Sequence, residues 1–142
     1  MKVIIINGPN LEKIKLRNQE FYGDLNFDDI RSKIHEEYPL VQFDFIQSNS
    51  ENEIIEIVHR VTNDYDALII NPGGLSHTSV ALRDALEMCN LPKIEVHLSN
   101  ISSRDHFRKT SLTATVCNGY ISGFKHLGYL SAIYILQKML SK

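Results

Sequence analysis

Strand-length apolar runs alternate with helix-spaced segments from one end of the chain to the other, and this alternation restricts the fold most. Residues 2–7 (KVIIIN) are almost continuously apolar, as a strand buried on both faces requires. Residues 41–47 (VQFDFIQ) alternate apolar with polar and predict an edge strand. Further strands are expected over 67–71 (ALIIN), 93–98 (KIEVHL) and 114–123 (ATVCNGYISG). Between them, Phe27, Ile30 and Ile34 space a helix over 27–37, with Asn26 placed to cap it. Ile54, Ile55, Val58 and Val61 stripe a helix over 51–63, opened by the capping-box pair Ser50 and Glu53. Val80, Leu82, Ala85 and Leu86 mark a helix over 77–90, and a last apolar helix covers about 127–140.

Strands and helices alternating through short connections predict an α/β fold with helices on both faces of a parallel sheet. Five strands in one small domain spanning 1–142 suggest a flavodoxin-like three-layer sandwich, a five-stranded parallel sheet of order 2-1-3-4-5. Ligands then bind beyond the carboxyl ends of strands 1 and 3. Polar residues collect at those ends: Asn7-Gly8-Pro9-Asn10, Asn71-Pro72-Gly73-Gly74 and His97-Leu98-Ser99-Asn100.

Composition narrows the partners. A formal charge of −2 with scattered basic residues offers no stripe for nucleic acid. No apolar run reaches membrane-spanning length, and the short one at the N-terminus is too brief for a signal segment, so a cytoplasmic location is expected. Cys89 and Cys117 lie far apart without metal or redox spacing, which favours reduced thiols. His35, His59, His106 and His126 show no ligand spacing either, and no metal site is expected.

The run IEVHLSN (94–100) puts Glu95 and His97 on one face of a strand and Ile94, Val96 and Leu98 on the other. A carboxylate beside an imidazole describes either a held structural histidine or a proton donor. Gly8-Pro9 marks a tight turn and lacks the glycine spacing of a phosphate loop. Beyond it, Asn10 offers an amide donor to an oxygen gaining negative charge. Residues 11–23 (LEKIKLRNQEFYG) form a polar, mobile-looking connection of lid length, with Arg17 five residues before Tyr22. That pair reads as a surface loop anchored by a tyrosine, or as a phenol kept near a guanidinium so that it works as a base. Ser76 and His77 are expected at a helix N-terminus, where Ser76 or Thr78 caps or the backbone N–H groups meet an anion. Arg83-Asp84 is a solvated pair unless a neighbouring subunit meets it. Arg104 and Arg108 follow strand 4 and either solubilise a loop or contact an acidic ligand.

Taken together, NGPNL (7–11), FYG (21–23), FDFIQSN (43–49), IINPGGLSHTSVALRDA (69–85), IEVHLSNISSRDHFR (94–108) and GYL (128–130) resemble the type II 3-dehydroquinate dehydratases over essentially the whole chain. The resemblance implies a hydro-lyase without metal or organic cofactor, assembled as a homododecamer of trimers. It would reversibly convert 3-dehydroquinate to 3-dehydroshikimate through an enolate, without a Schiff base, in the shikimate or quinate pathway. It also implies roles. Tyr22 is the base supported by Arg17, with Arg104 assisting; Asn10 holds a water or oxygen dipole at the enolate; His97 is the acid, oriented by Glu95. Asn71, His77 and Arg108 would bind substrate hydroxyls, the Leu98 and Ser99 backbone amides its carboxylate, and Asp84 would reach in from an adjacent subunit. The chain departs from the family pattern in its lid, at Glu12, Lys15 and Asn18, and at Asn118.

Overall fold

The computed structural model describes residues 1–141. Five strands, β1 (Lys2–Asn7), β2 (Gln42–Gln47), β3 (Ala67–Asn71), β4 (Lys93–His97) and β5 (Gly119–Ser122), form one parallel sheet in the order β2-β1-β3-β4-β5. This is the order expected from the alternation.

Period-two side chains divide the core into two layers. Val3, Ile5, Ala67, Ile69, Ile94 and Val96 pack beneath α2 (Phe27–Glu37) and α5 (Leu127–Leu140). Ile4, Ile6, Leu68 and Ile70 pack beneath α3 (Glu51–Arg60) and α4 (Val80–Met88). Helix α2 begins in a complete capping box between Asn26 and Asp29. At α3 only half the expected box forms. Ser50 accepts from the Glu53 amide, while the Glu53 carboxylate takes the Ser48 hydroxyl instead.

Three expectations are corrected. The helix expected over 77–90 starts at Val80, because Ser79 accepts from the Leu82 amide at 2.9 Å and the preceding Gly73–His77 coils as a 3-10 turn. Ser76 and His77 therefore do not sit at a helix N-terminus. Helix α3 ends at Arg60 and passes into a 3-10 turn over Val61–Asn63. The strand expected over 114–123 is shorter, since Ala114–Val116 form another 3-10 turn and β5 starts at Gly119. Ser111 Oγ accepts from the Ala114 amide and Thr115 Oγ1 donates to the Leu112 carbonyl, and such local bonds compete with extension.

The β4–β5 connection contains only 3-10 turns, over Ile101–Ser103, His106–Lys109 and Ala114–Val116. It brings hydroxyls toward the polar face of β4, which carries Lys93, Glu95 and His97 and would be poorly served by an apolar helix. Asn118 closes the near end of this crossover, its side chain accepting from the Lys93 amide at 2.8 Å and its own amide donating to the Lys93 carbonyl at 2.9 Å.

At the other edge of the site the ends of β1 and β3 touch. The Gly8 amide donates to the Asn71 carbonyl at 2.7 Å, and a Cβ at Gly8 would lie 2.4 Å from the Pro72 carbonyl oxygen. Gly8→Ala must therefore push backbone against backbone. A loss of about 1–3 kcal/mol is expected, as for other overpacked sites, measured by urea denaturation.

Candidate active site

The carboxyl ends of β1, β3 and β4 border a cleft lined by Leu11, Arg17, Tyr22, Asn71, Gly73, Gly74, His77, His97, Leu98, Ser99, Ile101, Arg104 and Arg108. Residues 11–23 close it. Where a polar, mobile-looking connection was expected, they fold as a 3-10 segment, Leu11–Leu16, and a short helix α1, Gln19–Tyr22, with Leu11 and Ile14 buried in the core. Asn49 ties this lid to the end of β2, accepting from the Asn10 amide at 3.0 Å and donating to Glu12 at 2.8 Å. About 20 Å³ remains free inside, room for about one water.

Glu95 is fully buried beside His97, whose Nε2 lies 2.8 Å from Oε2 of the carboxylate. A carboxylate only accepts, so Nε2 carries the proton and donates. His97 Nδ1 makes no hydrogen bond among the described residues. No buried polar side-chain atom there lacks a partner, so this nitrogen opens to the cleft. Ser111 Oγ donates to Oε2 of Glu95 at 2.7 Å, and the Thr113 hydroxyl donates to Oε1.

Tyr22 sits between two guanidinium groups. Arg104 Nη1 donates to the phenol oxygen at 2.6 Å and to Ser99 Oγ at 3.1 Å. The guanidinium carbon of Arg17 lies 4.1 Å from the centroid of the Tyr22 ring, a cation–π contact. Arg104, rather than Arg17, thus makes the direct bond to the phenol, and a charged donor there stabilises negative charge on the oxygen. Burial pushes the Arg17 pKa down, opposed by Tyr22 and reinforced by the nearby Arg104 and Arg108 cations. Arg108 lines the cleft while its Nε holds Asp105 at 3.0 Å.

His77 stacks on His97, ring centroids 6.2 Å apart, and its Nδ1 donates to the Thr110 carbonyl at 2.8 Å. Asn71 lines the cleft with its amide already directed. Nδ2 donates to Tyr129 Oη at 3.2 Å, and that hydroxyl donates to Asn7 Oδ1 at 2.6 Å. Burial pushes the Tyr129 phenol well above the ordinary tyrosine range, so it remains a neutral donor.

The cleft therefore gathers Tyr22, His97, Arg17, Asn71, His77, Leu98, Ser99 and Arg108 from the expected set, with Glu95 behind His97. Two expected residues stand apart. Asn10 is exposed at the start of the lid with φ 70°, and Asp84 is exposed on α4 and paired with Arg83 at 2.9 Å. Sequence reasoning missed Ser111, Thr113 and Tyr129. The first two lie in a Ser/Thr-rich run just before the strand expected over 114–123, with no spacing that ties them to Glu95, and Tyr129 reads as one more apolar helix position. Among the described residues, no three His, Cys, Asp or Glu side chains gather as a metal-holding group, and no helix is long and apolar enough to cross a membrane.

Known proteins resemble this chain along nearly its whole length. Residues 1–137 match a family model described as dehydroquinase class II. The chain is 44% identical to a 3-dehydroquinate dehydratase of Thermotoga neapolitana over 144 residues, covering 100% of this chain and 98% of that protein. The crystal structure of a type II dehydroquinase from Butyrivibrio crossotus superposes with a TM-score of 0.92 at 39% identity, covering 96% of this chain and 97% of that one. A type II dehydroquinase from Propionibacterium acnes does so with a TM-score of 0.88 at 31% identity, covering 96% of each chain. The chain belongs to the class II dehydroquinase family.

Proposed function

We propose the following division of labour for the dehydration of 3-dehydroquinate to 3-dehydroshikimate, the hydro-lyase reaction of this family. The Tyr22 oxygen removes the proton from the carbon beside the ketone, and that C–H electron pair becomes an enolate. The enolate collapses to a carbon–carbon double bond and expels the hydroxyl from the next carbon, which takes a proton from His97 Nδ1 and departs as water. Arg104 and Arg17 hold negative charge on the phenol oxygen, and Glu95 holds the far side of the imidazolium. Asn71, His77 and Arg108 take substrate hydroxyls, and the Leu98 and Ser99 amides its carboxylate. Asn10 holds a water or oxygen dipole at the enolate when the first turn of the lid carries it inward.

The observation that carries this reading is one cleft holding both a phenol on a guanidinium and an imidazole backed by a buried carboxylate. Three arginines around it suit an anionic substrate, and among the described residues no lysine lines it for an imine. Adding 3-dehydroquinate should produce rising ultraviolet absorbance from the conjugated enone. A flat trace, or a covalent adduct trapped by borohydride, would overturn the assignment.

Assembly belongs to the same proposal, as a dodecamer of trimers in which one subunit completes another's cleft. Asp84 shares an exposed α4 stripe with Val80 and Met88, which are 58% and 65% exposed. A carboxylate framed by bare apolar side chains suits an interface. Met88→Lys is expected to yield smaller species by sedimentation velocity, with loss of turnover. Asp84→Asn should keep the assembly and raise KM about tenfold or more, the scale of a lost hydrogen bond to a charged group. A cytoplasmic location, consistent with two free cysteines, and a single domain over 1–142 complete the proposal.

A further inference from the structure

The Glu95 carboxylate has both oxygens fixed from behind. Oε2 accepts from His97 Nε2 at 2.8 Å and from Ser111 Oγ at 2.7 Å, and Oε1 accepts from Thr113 Oγ1. Each hydroxyl has a single proton, and both are directed at this carboxylate. Ser111 uses a lone pair, not its proton, to accept from the Ala114 amide at 3.1 Å.

The segment carrying these hydroxyls is itself anchored. The Leu112 amide donates to the Ser76 carbonyl at 2.7 Å, and the Thr110 carbonyl accepts from His77 Nδ1 at 2.8 Å. One strap of four residues, 110–113, therefore meets both cleft imidazoles, His77 directly and His97 through Glu95.

We propose that Ser111 and Thr113 are positioning residues for the proton-donating step: their hydroxyls lock Glu95 in the one rotation that fixes the His97 ring with Nδ1 toward the cleft. Neither hydroxyl lines the cleft, so each acts through Glu95 and then His97. Without Thr113, Oε1 is a bare carboxylate oxygen on a residue with no solvent exposure. The carboxylate then turns toward another donor or takes up a proton, and either change releases the imidazole.

The other ionisable groups near Glu95 do not replace these donors. The Cys117 thiol is pushed up to about 12, first by burial and then by the Glu95 anion, and its Sγ donates to the Thr113 carbonyl at 3.5 Å. Lys93, on the same face of β4, directs its ammonium to the Cys89 carbonyl at 2.7 Å.

This inference rests on the proposed dehydratase function, and its test keeps the two apart. Thr113→Val retains the shape and removes the donor, while Thr113→Ser retains the donor. With 3-dehydroquinate, Thr113→Val is expected to lower kcat about tenfold or more with little change in KM, and to displace the kcat–pH profile from that of the wild type. Thr113→Ser should restore both. In a His97→Asn background Thr113→Val should cost almost nothing further, because the group it positions is gone. Ser111→Ala carries the same test should Thr113→Val fail to fold. A folded Thr113→Val or Ser111→Ala with near-normal kcat and an unmoved profile would overturn the inference while leaving the function standing. A wild-type protein that turns nothing over would overturn both.

Discussion

Tyr22→Phe is expected to lower kcat about 10²–10⁴-fold, the range of a lost acid–base group. The ring keeps its place in the core cluster and its edge contact with Phe21, so the change removes one atom from the chemistry and little from the packing. Arg104 retains its bond to Ser99, so no guanidinium is stranded. Stability should fall by no more than about 1 kcal/mol, the typical net value of one hydrogen bond. KM should change little if the phenol acts on the reacting carbon, because an interaction made only in the transition state lowers kcat and kcat/KM together. Steady-state kinetics beside a denaturation curve checks both halves. Turnover within tenfold of wild type would remove Tyr22 as the base.

The second large effect comes from His97, and two substitutions separate chemistry from stability. His97→Ala removes the proton donor and takes from the buried Glu95 carboxylate the Nε2–H that it accepts. A loss of about 10²–10⁴-fold in kcat is expected. A stability cost of about 1–3 kcal/mol should accompany it, the scale for taking a donor away from a buried acceptor. His97→Asn offers an amide N–H toward Glu95 but no proton at the leaving hydroxyl. It should match His97→Ala in kcat and recover much of the stability. If Asn restored turnover as well as stability, His97 would be a structural histidine, the plainer reading that IEVHLSN allows.

The strand order was legible because burial imposes it. Runs such as KVIIIN and ALIIN have no polar face to turn outward, and short connections leave few ways to bury them. The convergence of Asn7, Asn71 and His97 at one end of the sheet follows from the parallel direction of their strands. What stayed hidden depends on donors and acceptors far apart in the chain. Glu95 and Thr113 are separated by 18 positions and meet only because the crossover before β5 lacks a helix. Arg104 lies 82 residues from the Tyr22 oxygen it binds, whereas Arg17 stood nearby in sequence and attracted the role first. The lid read as a polar, mobile-looking connection because its charged and amide residues together outnumber its apolar ones. Its order comes from two buried side chains, Leu11 and Ile14, and from Asn49 just beyond the end of β2.

A crystal structure with 3-dehydroquinate or a ring analogue bound tests the two-sided cleft most directly. The account predicts a single ring held between Tyr22 and His97. The phenol oxygen should approach the carbon beside the ketone, and Nδ1 should lie about 2.6–3.2 Å from the departing hydroxyl. A ligand touching only one of these two side chains, or lying elsewhere on the molecule, would contradict it.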